Sequence, residues 1–242
     1  MTTVIRSFAA TDTGRVRKHN EDAYADCTNL GLWAVADGAG GHAAGEVASA
    51  MLVDALKTMP LGLGQDESLA EMRARITEVH VALRGEAQKR GADAMASTIV
   101  ILLVHGAQYL ALWAGDSRIY VLRDGMLRQI TRDHSFVQGL VDAGVLTEAQ
   151  AERHPQSNVI TRAIGAPEDS GELDLVTGAV LAGDRFLLCS DGVNKVLDAR
   201  SITQALMAHH ENPAQTMIEL AMQSGSRDNV TAIVVDILPV RD

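Results

Sequence analysis

With 242 residues, the chain is long enough for one large domain or two small ones. Apolar residues make up 47% and charged residues 21%, spread along the chain, which excludes intrinsic disorder. A formal net charge of −10 argues against nonspecific binding to nucleic acid or an anionic membrane, both of which attract clustered Lys and Arg.

The first residues, Met1-Thr-Thr-Val-Ile-Arg, show no basic stretch followed by a long apolar one, and no later apolar run nears the ~18 residues of a membrane span. A cytoplasmic protein is expected. Residues 4–11 predict an extended segment, and 12–22 a polar loop carrying Arg15, Arg17 and Lys18. Two strands, 23–27 and 31–37, are joined by a turn at Asn29-Leu30-Gly31. The second ends at Asp37, and Gly38, Gly40 and Gly41 predict a tight loop behind it.

Residues 43–59 are helical in pattern, with Val47, Met51 and Ala55 four apart, and Pro60 and Gly62 stop them. A second helix is expected to start at Ser68, with Glu71 completing a capping box, and to end at Gly91. Strands at 97–104, 109–114 and 118–123 follow, with turns at His105-Gly106 and Asp124-Gly125, then a short antiparallel return at 126–130. Residues 131–167 are polar and irregular, with helical pieces at 135–143 and 148–154; a long insertion between strands is a candidate flap beside a site. Strands at 173–177 and 186–190 lead to helices capped by Asp198 and Asn212, and 230–238 is a final strand. Cys27 and Cys189 read as small buried hydrophobes, since two thiols make no disulfide framework. Helices grouped between antiparallel strands predict an α+β fold, two sheets face to face with helices outside.

Acidic residues recur at the edges of these strands: Glu21 and Asp22, Asp37, Asp116, Asp191 and Asp228. Carboxylates far apart in sequence but gathered at one end of packed sheets would repel one another strongly. Bound cations remove that repulsion, and all-oxygen ligands favour Mg²⁺ or Mn²⁺ over zinc.

The segments Arg17-x-x-Asn20-Glu21-Asp22, Asp37-Gly38-Ala39-Gly40-Gly41-His42, Gly115-Asp116-Ser117-Arg118, Cys189-Ser190-Asp191-Gly192 and Ser226-Arg227-Asp228-Asn229 together resemble the PP2C (PPM) family of metal-dependent Ser/Thr protein phosphatases, in its compact bacterial form. They stand in the family's order and cover the whole chain. The resemblance implies a single α-β-β-α sandwich domain over residues 1–242, within which 131–167 is the candidate flap already read from its length. It implies Mn²⁺ or Mg²⁺ as cofactor, with Asp37 bridging two ions, the Gly38 carbonyl on one, and Asp191 and Asp228 on the other. Glu21 and Asp22 would orient water, Asp116 with Asp191 matches a third, weaker cation site, and Arg17 would grip the substrate phosphate. Phosphorylated proteins are the implied substrates, with a Ser/Thr kinase and its targets as partners. Neither nucleic acid nor membrane is implied, and the protein is expected to act as a monomer.

The chemistry of the residues agrees. Unaided phosphomonoester hydrolysis is slower than the enzymatic reaction by up to ~10²¹. Two cations can clamp attacking and leaving oxygens and acidify water, and a guanidinium matches a phosphate bidentately where an ammonium does not. One position departs from the family: many members carry His after the Asp-Gly, where this chain has Ala39. The nearest imidazole is His42, a candidate acid for the leaving alkoxide whose other reading is a residue packing at a helix start. Gly115-Asp116-Ser117 also resembles a serine-hydrolase nucleophile, but His209 and His210, at a helix end, make poor bases for it. A pseudophosphatase would have lost ligands that are present here. A calcium-binding domain would gather its ligands in one short loop.

Overall fold

Strands buried on both faces must carry apolar side chains at every position, and alternate residues then serve two different cores. The computed structural model, which describes residues 3–40, 44–167 and 169–239, shows this along its central strands. In β3 (Leu32–Ala39), β5 (Ile99–His105) and β6 (Gln108–Ala114), one set points toward helices: Leu32, Ala34, Ala36, Ile99, Ile101, Leu110 and Leu112. The intervening set, Trp33, Val35, Val100, Leu102, Ala111 and Trp113, meets Phe186, Leu188, Ile233 and Val235 of the facing sheet. The facing strands β10 (Arg185–Cys189) and β11 (Val230–Pro239) turn their other face, including Leu187, Cys189, Ala232 and Val234, to a second helical layer. Both cysteines are buried and free. The fold is therefore the expected α+β sandwich of four layers.

One sheet runs β1 (Thr3–Asp12), β11, β10, β7 (Arg118–Arg123), β8 (Met126–Gln129). The other runs β2 (Asp22–Cys27), β3, β5, β6, β9 (Asp174–Ala179), with the short β4 (Ala96–Ser97) beside the end of β3. Every pairing is antiparallel. Helices α1 (Ala44–Lys57) and α2 (Gln65–Arg90) cover the second sheet. Helices α6 (Ala199–Met207) and α7 (Pro213–Gln223), capped by Asp198 and Asn212 as expected, cover the first. The β7–β8 hairpin turns on Asp124 and Gly125, both at positive φ (52° and 75°), the pairing that suits a two-residue turn.

The segment between β8 and β9 holds α3 (Phe136–Asp142) and α4 (Glu148–Ala151), the latter starting in the expected Thr147–Gln150 capping box. It is pinned back by single bridges from Ser97 to Ile164 and from Ser135 to Ile160.

Three local expectations are corrected. Helix α2 starts three residues earlier than Ser68: the Gly64 N–H donates to the Glu67 carboxylate, 2.8 Å away, while Ser68 is buried and Glu71 pairs with Arg75. Strand β3 does not stop at Asp37 but continues through Gly38 and Ala39, which pair with Ser97 and Ala96. A four-residue helix, α5 (Asp191–Asn194), follows β10 where no helix was expected. Gly41, His42 and Ala43 lie outside the described residues, so the candidate acid His42 receives no structural account.

Candidate metal and phosphate site

The register of the strands delivers the carboxylates to one end of both sheets. Asp22 and Asp37 are direct cross-strand partners on β2 and β3, a like-charge pair that destabilises a sheet unless something offsets it. Asp116 lies in the β6–β7 connection, Asp191 opens α5 directly after β10, and Asp228 stands two residues before β11. Asp37, Asp116, Asp191 and Asp228 border one cavity of about 620 Å³, lined also by Arg17, Glu21, Gly38, Thr98, Lys195 and Asn229. Asp22 sits beneath that lining, 8% exposed.

Supporting contacts fix these residues. The Thr98 hydroxyl accepts from the Asp37 N–H at 3.2 Å and shares a hydrogen bond with the buried Ser117 hydroxyl at 2.8 Å. The Ser97 hydroxyl and the Thr98 N–H donate to the Asp37 carbonyl. The Asn229 amide oxygen accepts from the Glu21 N–H at 2.8 Å, and its nitrogen donates to the carbonyls of Thr13 and His19. Asn229 thus stitches the Arg17-bearing loop to the end of β11 across more than two hundred residues of sequence. Ser117 is accordingly a buried structural hydroxyl with no histidine partner among the described residues, which counts against the hydrolase reading. Gly38 is required by close approach: a Cβ there would lie 2.1 Å from the Gly45 carbonyl oxygen and 2.6 Å from that of Glu21. No larger residue lets α1 dock so tightly behind the site.

Electrostatics show what the cluster wants. Burial, then the charge of Asp22 and of the other acids, raises the Asp37 carboxyl well above the ordinary range. Burial pushes Asp22 up to about 7 against opposing hydrogen bonds that include one from Ser190. Burial and Asp191 together bring Asp116 to about 6. Burial also raises Glu21. Asp22 keeps one carboxylate oxygen on Ser190 at 2.7 Å, while the other, Oδ1, is buried with no hydrogen-bond partner among the described residues. An orphaned buried carboxylate oxygen beside a second, desolvated carboxylate is the donor chemistry that a hard divalent cation satisfies.

Two protein cations already stand among the acids. Arg17 donates to Asp228 Oδ2 at 2.7 Å, an ion pair that raises the guanidinium's affinity for its proton. Lys195 lies between Asp191 (2.5 Å) and Asp116 (3.3 Å). Burial works against its charge, but the two carboxylates outweigh that and raise its pKa. Among the described residues, no three acidic, His or Cys side chains stand as a ready-made coordination shell. The residues around Asp37, the Gly38 carbonyl and Asp22 fit a cation; the Asp116–Asp191 position is filled by an ammonium and does not fit a further one as it stands.

Sequence reasoning named every acid of the cavity. It assigned no part to Lys195, Thr98 or Asn158, which also line the cavity, and the long-range bonds of Asn229 carry no signal beyond its place in the Asp228-Asn229 pair. Lys195 had one local cue, its spacing of four residues from Asp191.

The protein phosphatase 2C family pattern matches residues 13–229. The serine/threonine protein phosphatase PstP of Mycobacterium tuberculosis is 39% identical over 241 residues, 98% of this chain. The chain spans about half of that relative's length, 46%. Among solved structures, PppA, described as a key regulatory component of T6SS in Pseudomonas aeruginosa, shares 41% identity at a TM-score of 0.89, covering 97% of this chain and 98% of that one. The catalytic domain of PstP in complex with two manganese ions matches at a TM-score of 0.88 and 38% identity, covering 98% of this chain and 100% of that one.

Proposed function

The chain belongs to the protein phosphatase 2C family, and we propose that it hydrolyses phospho-Ser and phospho-Thr in proteins with the help of two divalent cations. The observation that carries this reading is the Asp22–Asp37 cross-strand pair, Asp37 half-buried at the lining of a cavity that Arg17 also borders and Asp22 buried beneath it with one oxygen orphaned among the described residues. Asp37 and the Gly38 carbonyl would hold one Mn²⁺ or Mg²⁺, and Asp37, Asp191 and Asp228 the other. When bound, such a pair supplies Lewis acidity toward the phosphoryl oxygens and acidifies water.

The protein's own residues do the rest. Arg17, about half exposed and tied to Asp228 by one nitrogen, keeps further N–H groups available to a phosphate entering the cavity. Glu21, at the cavity wall, and Asp22, buried beneath it, would orient water or support a cation there. No described side chain stands out as the acid for the leaving alkoxide, and His42 remains the candidate. The finer reading places the enzyme in the cytoplasm, as a monomer, removing phosphate that a Ser/Thr kinase has added. Of membrane spans it can be said that no described helix is long and apolar enough for one. The deciding experiment is hydrolysis of a phosphothreonine peptide across divalent metals: activity restored to chelated protein by Mn²⁺ supports the proposal, and activity indifferent to chelator defeats it.

Arg17→Ala is expected to raise KM about tenfold or more while lowering kcat less, because the side chain mainly binds ground-state phosphate. Steady-state kinetics on an aryl phosphate read this out; a fall confined to kcat would reassign Arg17 to transition-state stabilisation.

We assign residues 131–167 to the recognition of protein substrates. A groove of about 510 Å³ separates α3 and α4 from the β7–α5 side of the sandwich. It shares Asp116, Asn158 and Lys195 with the main cavity, and Glu148, Glu152 and Asp198 also line it. Reversing charge with Glu148→Lys and Glu152→Lys together should cut kcat/KM on a phosphopeptide with flanking basic residues about tenfold, with aryl phosphate hydrolysis unchanged. Equal loss on both substrates would remove the assignment.

A further inference from the structure

The family resemblance implies a third cation held by Asp116 and Asp191, yet a protein cation occupies that position here. Lys195 follows Asp191 by one helical turn in and just after α5, so its ammonium returns toward the loop between β6 and β7. It lies 2.5 Å from Asp191 Oδ2 and 3.3 Å from Asp116 Oδ2. The neighbouring Asn194 side chain donates to the Asp116 carbonyl at 3.3 Å, which holds α5 against that loop. Asp116 is only 5% exposed and would otherwise face Asp191 unpaired.

Resting on the binuclear reading above, we infer that the Lys195 ammonium is a tethered cation that takes the Asp116–Asp191 position, so that this protein binds two divalent ions and excludes a third. An ammonium and a divalent cation within about 4 Å of each other repel, and the repulsion grows in a partly dry site. A tethered ammonium needs no supply of metal, and it stays beside Asp116 at any manganese concentration. Asp116 is then the counter-ion of Lys195 and not a metal ligand. Lys195 borders both the main cavity and the flap groove, so this fixed charge stands where the two meet.

The test is manganese stoichiometry, counted from the electron paramagnetic resonance of free Mn²⁺ during titration of chelator-stripped full-length protein. Wild type and Lys195→Arg should saturate at two ions. Lys195→Met, which keeps length and loses charge, should take up a third with affinity at least about tenfold above any residual third binding in wild type. The inference is overturned if wild type binds three ions, or if a folded Lys195→Met saturates at two. If neither protein takes up manganese, the binuclear reading falls along with it. The wild-type count alone decides the matter should Lys195→Met not fold, which circular dichroism would reveal.

Discussion

Asp37→Asn is expected to lower hydrolysis of a small aryl phosphate in Mn²⁺ by at least about 10³-fold, and at the same time to stabilise the metal-free protein. The two effects have one cause. Asp37 is desolvated and sits opposite Asp22 in the strand register, with Asp116, Asp191 and Asp228 also contributing negative potential. Without cations its charge costs stability; on the proposed reading it would be the ligand that both ions share. Asparagine matches the shape of aspartate and removes the charge. The hydrogen bonds that locate the residue run to its backbone, from Thr98 N–H and Ser97 Oγ to the carbonyl and from its N–H to Thr98 Oγ1, so they survive the change. Thermal melts in chelator should therefore shift upward by several degrees, and the upward shift that Mn²⁺ gives the wild type should shrink. A folded variant that retains near wild-type turnover would show that Asp37 is not the shared ligand.

That both halves of this expectation can be stated reflects what the chain discloses locally. Asp37 was legible because an apolar run buried on both faces must end somewhere, and a carboxylate at its end is conspicuous. The role of Gly38 was not legible. Its glycine suggested a turn, whereas the strand runs straight on and the missing side chain admits the Gly45 carbonyl of α1. Only tertiary approach distinguishes those two uses of glycine. The same limit explains the start of α2. Ser68-x-x-Glu71 satisfies the capping pattern, but Gly64 with Glu67 satisfies its carboxylate half one turn earlier, and the helix gains a turn by beginning there. Lys195 escaped notice because a four-residue helix is too short to show a period, so its spacing from Asp191 looked like coincidence. The two sheets, in contrast, follow from alternation: Trp33, Val35, Val100 and Leu102 needed a second apolar layer to meet, and the facing sheet is that layer.

The metal-free protein should lose stability as pH rises, the reverse of ordinary acid denaturation, and manganese should remove the effect. Asp22 binds a proton in the folded state up to about pH 7, whereas in the unfolded chain it is deprotonated above about 3.9. Between those values the native state holds a proton that the unfolded state has released, so stability falls as pH climbs through the window. Asp116, raised to about 6, and Asp37, also raised well above the ordinary carboxylate range by burial, add in the same direction. His80 and His134 oppose it, since burial lowers both and their folding contribution improves as pH rises toward the unfolded value of about 6.5. The interval from about 6.5 upward is thus governed by the carboxylates. Across it and the units below, a net loss of roughly 2–4 kcal/mol is expected, or roughly 5–10 °C in melting temperature for a chain of this size. Saturating Mn²⁺ requires the carboxylates to be ionised, so its stabilisation grows with pH and the slope reverses. Asp22→Asn separates this cluster from every other titrating group: it should flatten the chelator curve while leaving the acid limb below about pH 4, where exposed carboxylates titrate, as it was. Melting curves in chelator that rise with pH in the wild type, or that keep their slope in Asp22→Asn, would mean that the acids paired across β2 and β3 are not held against their own repulsion, and the case for cations between them would lose its physical basis.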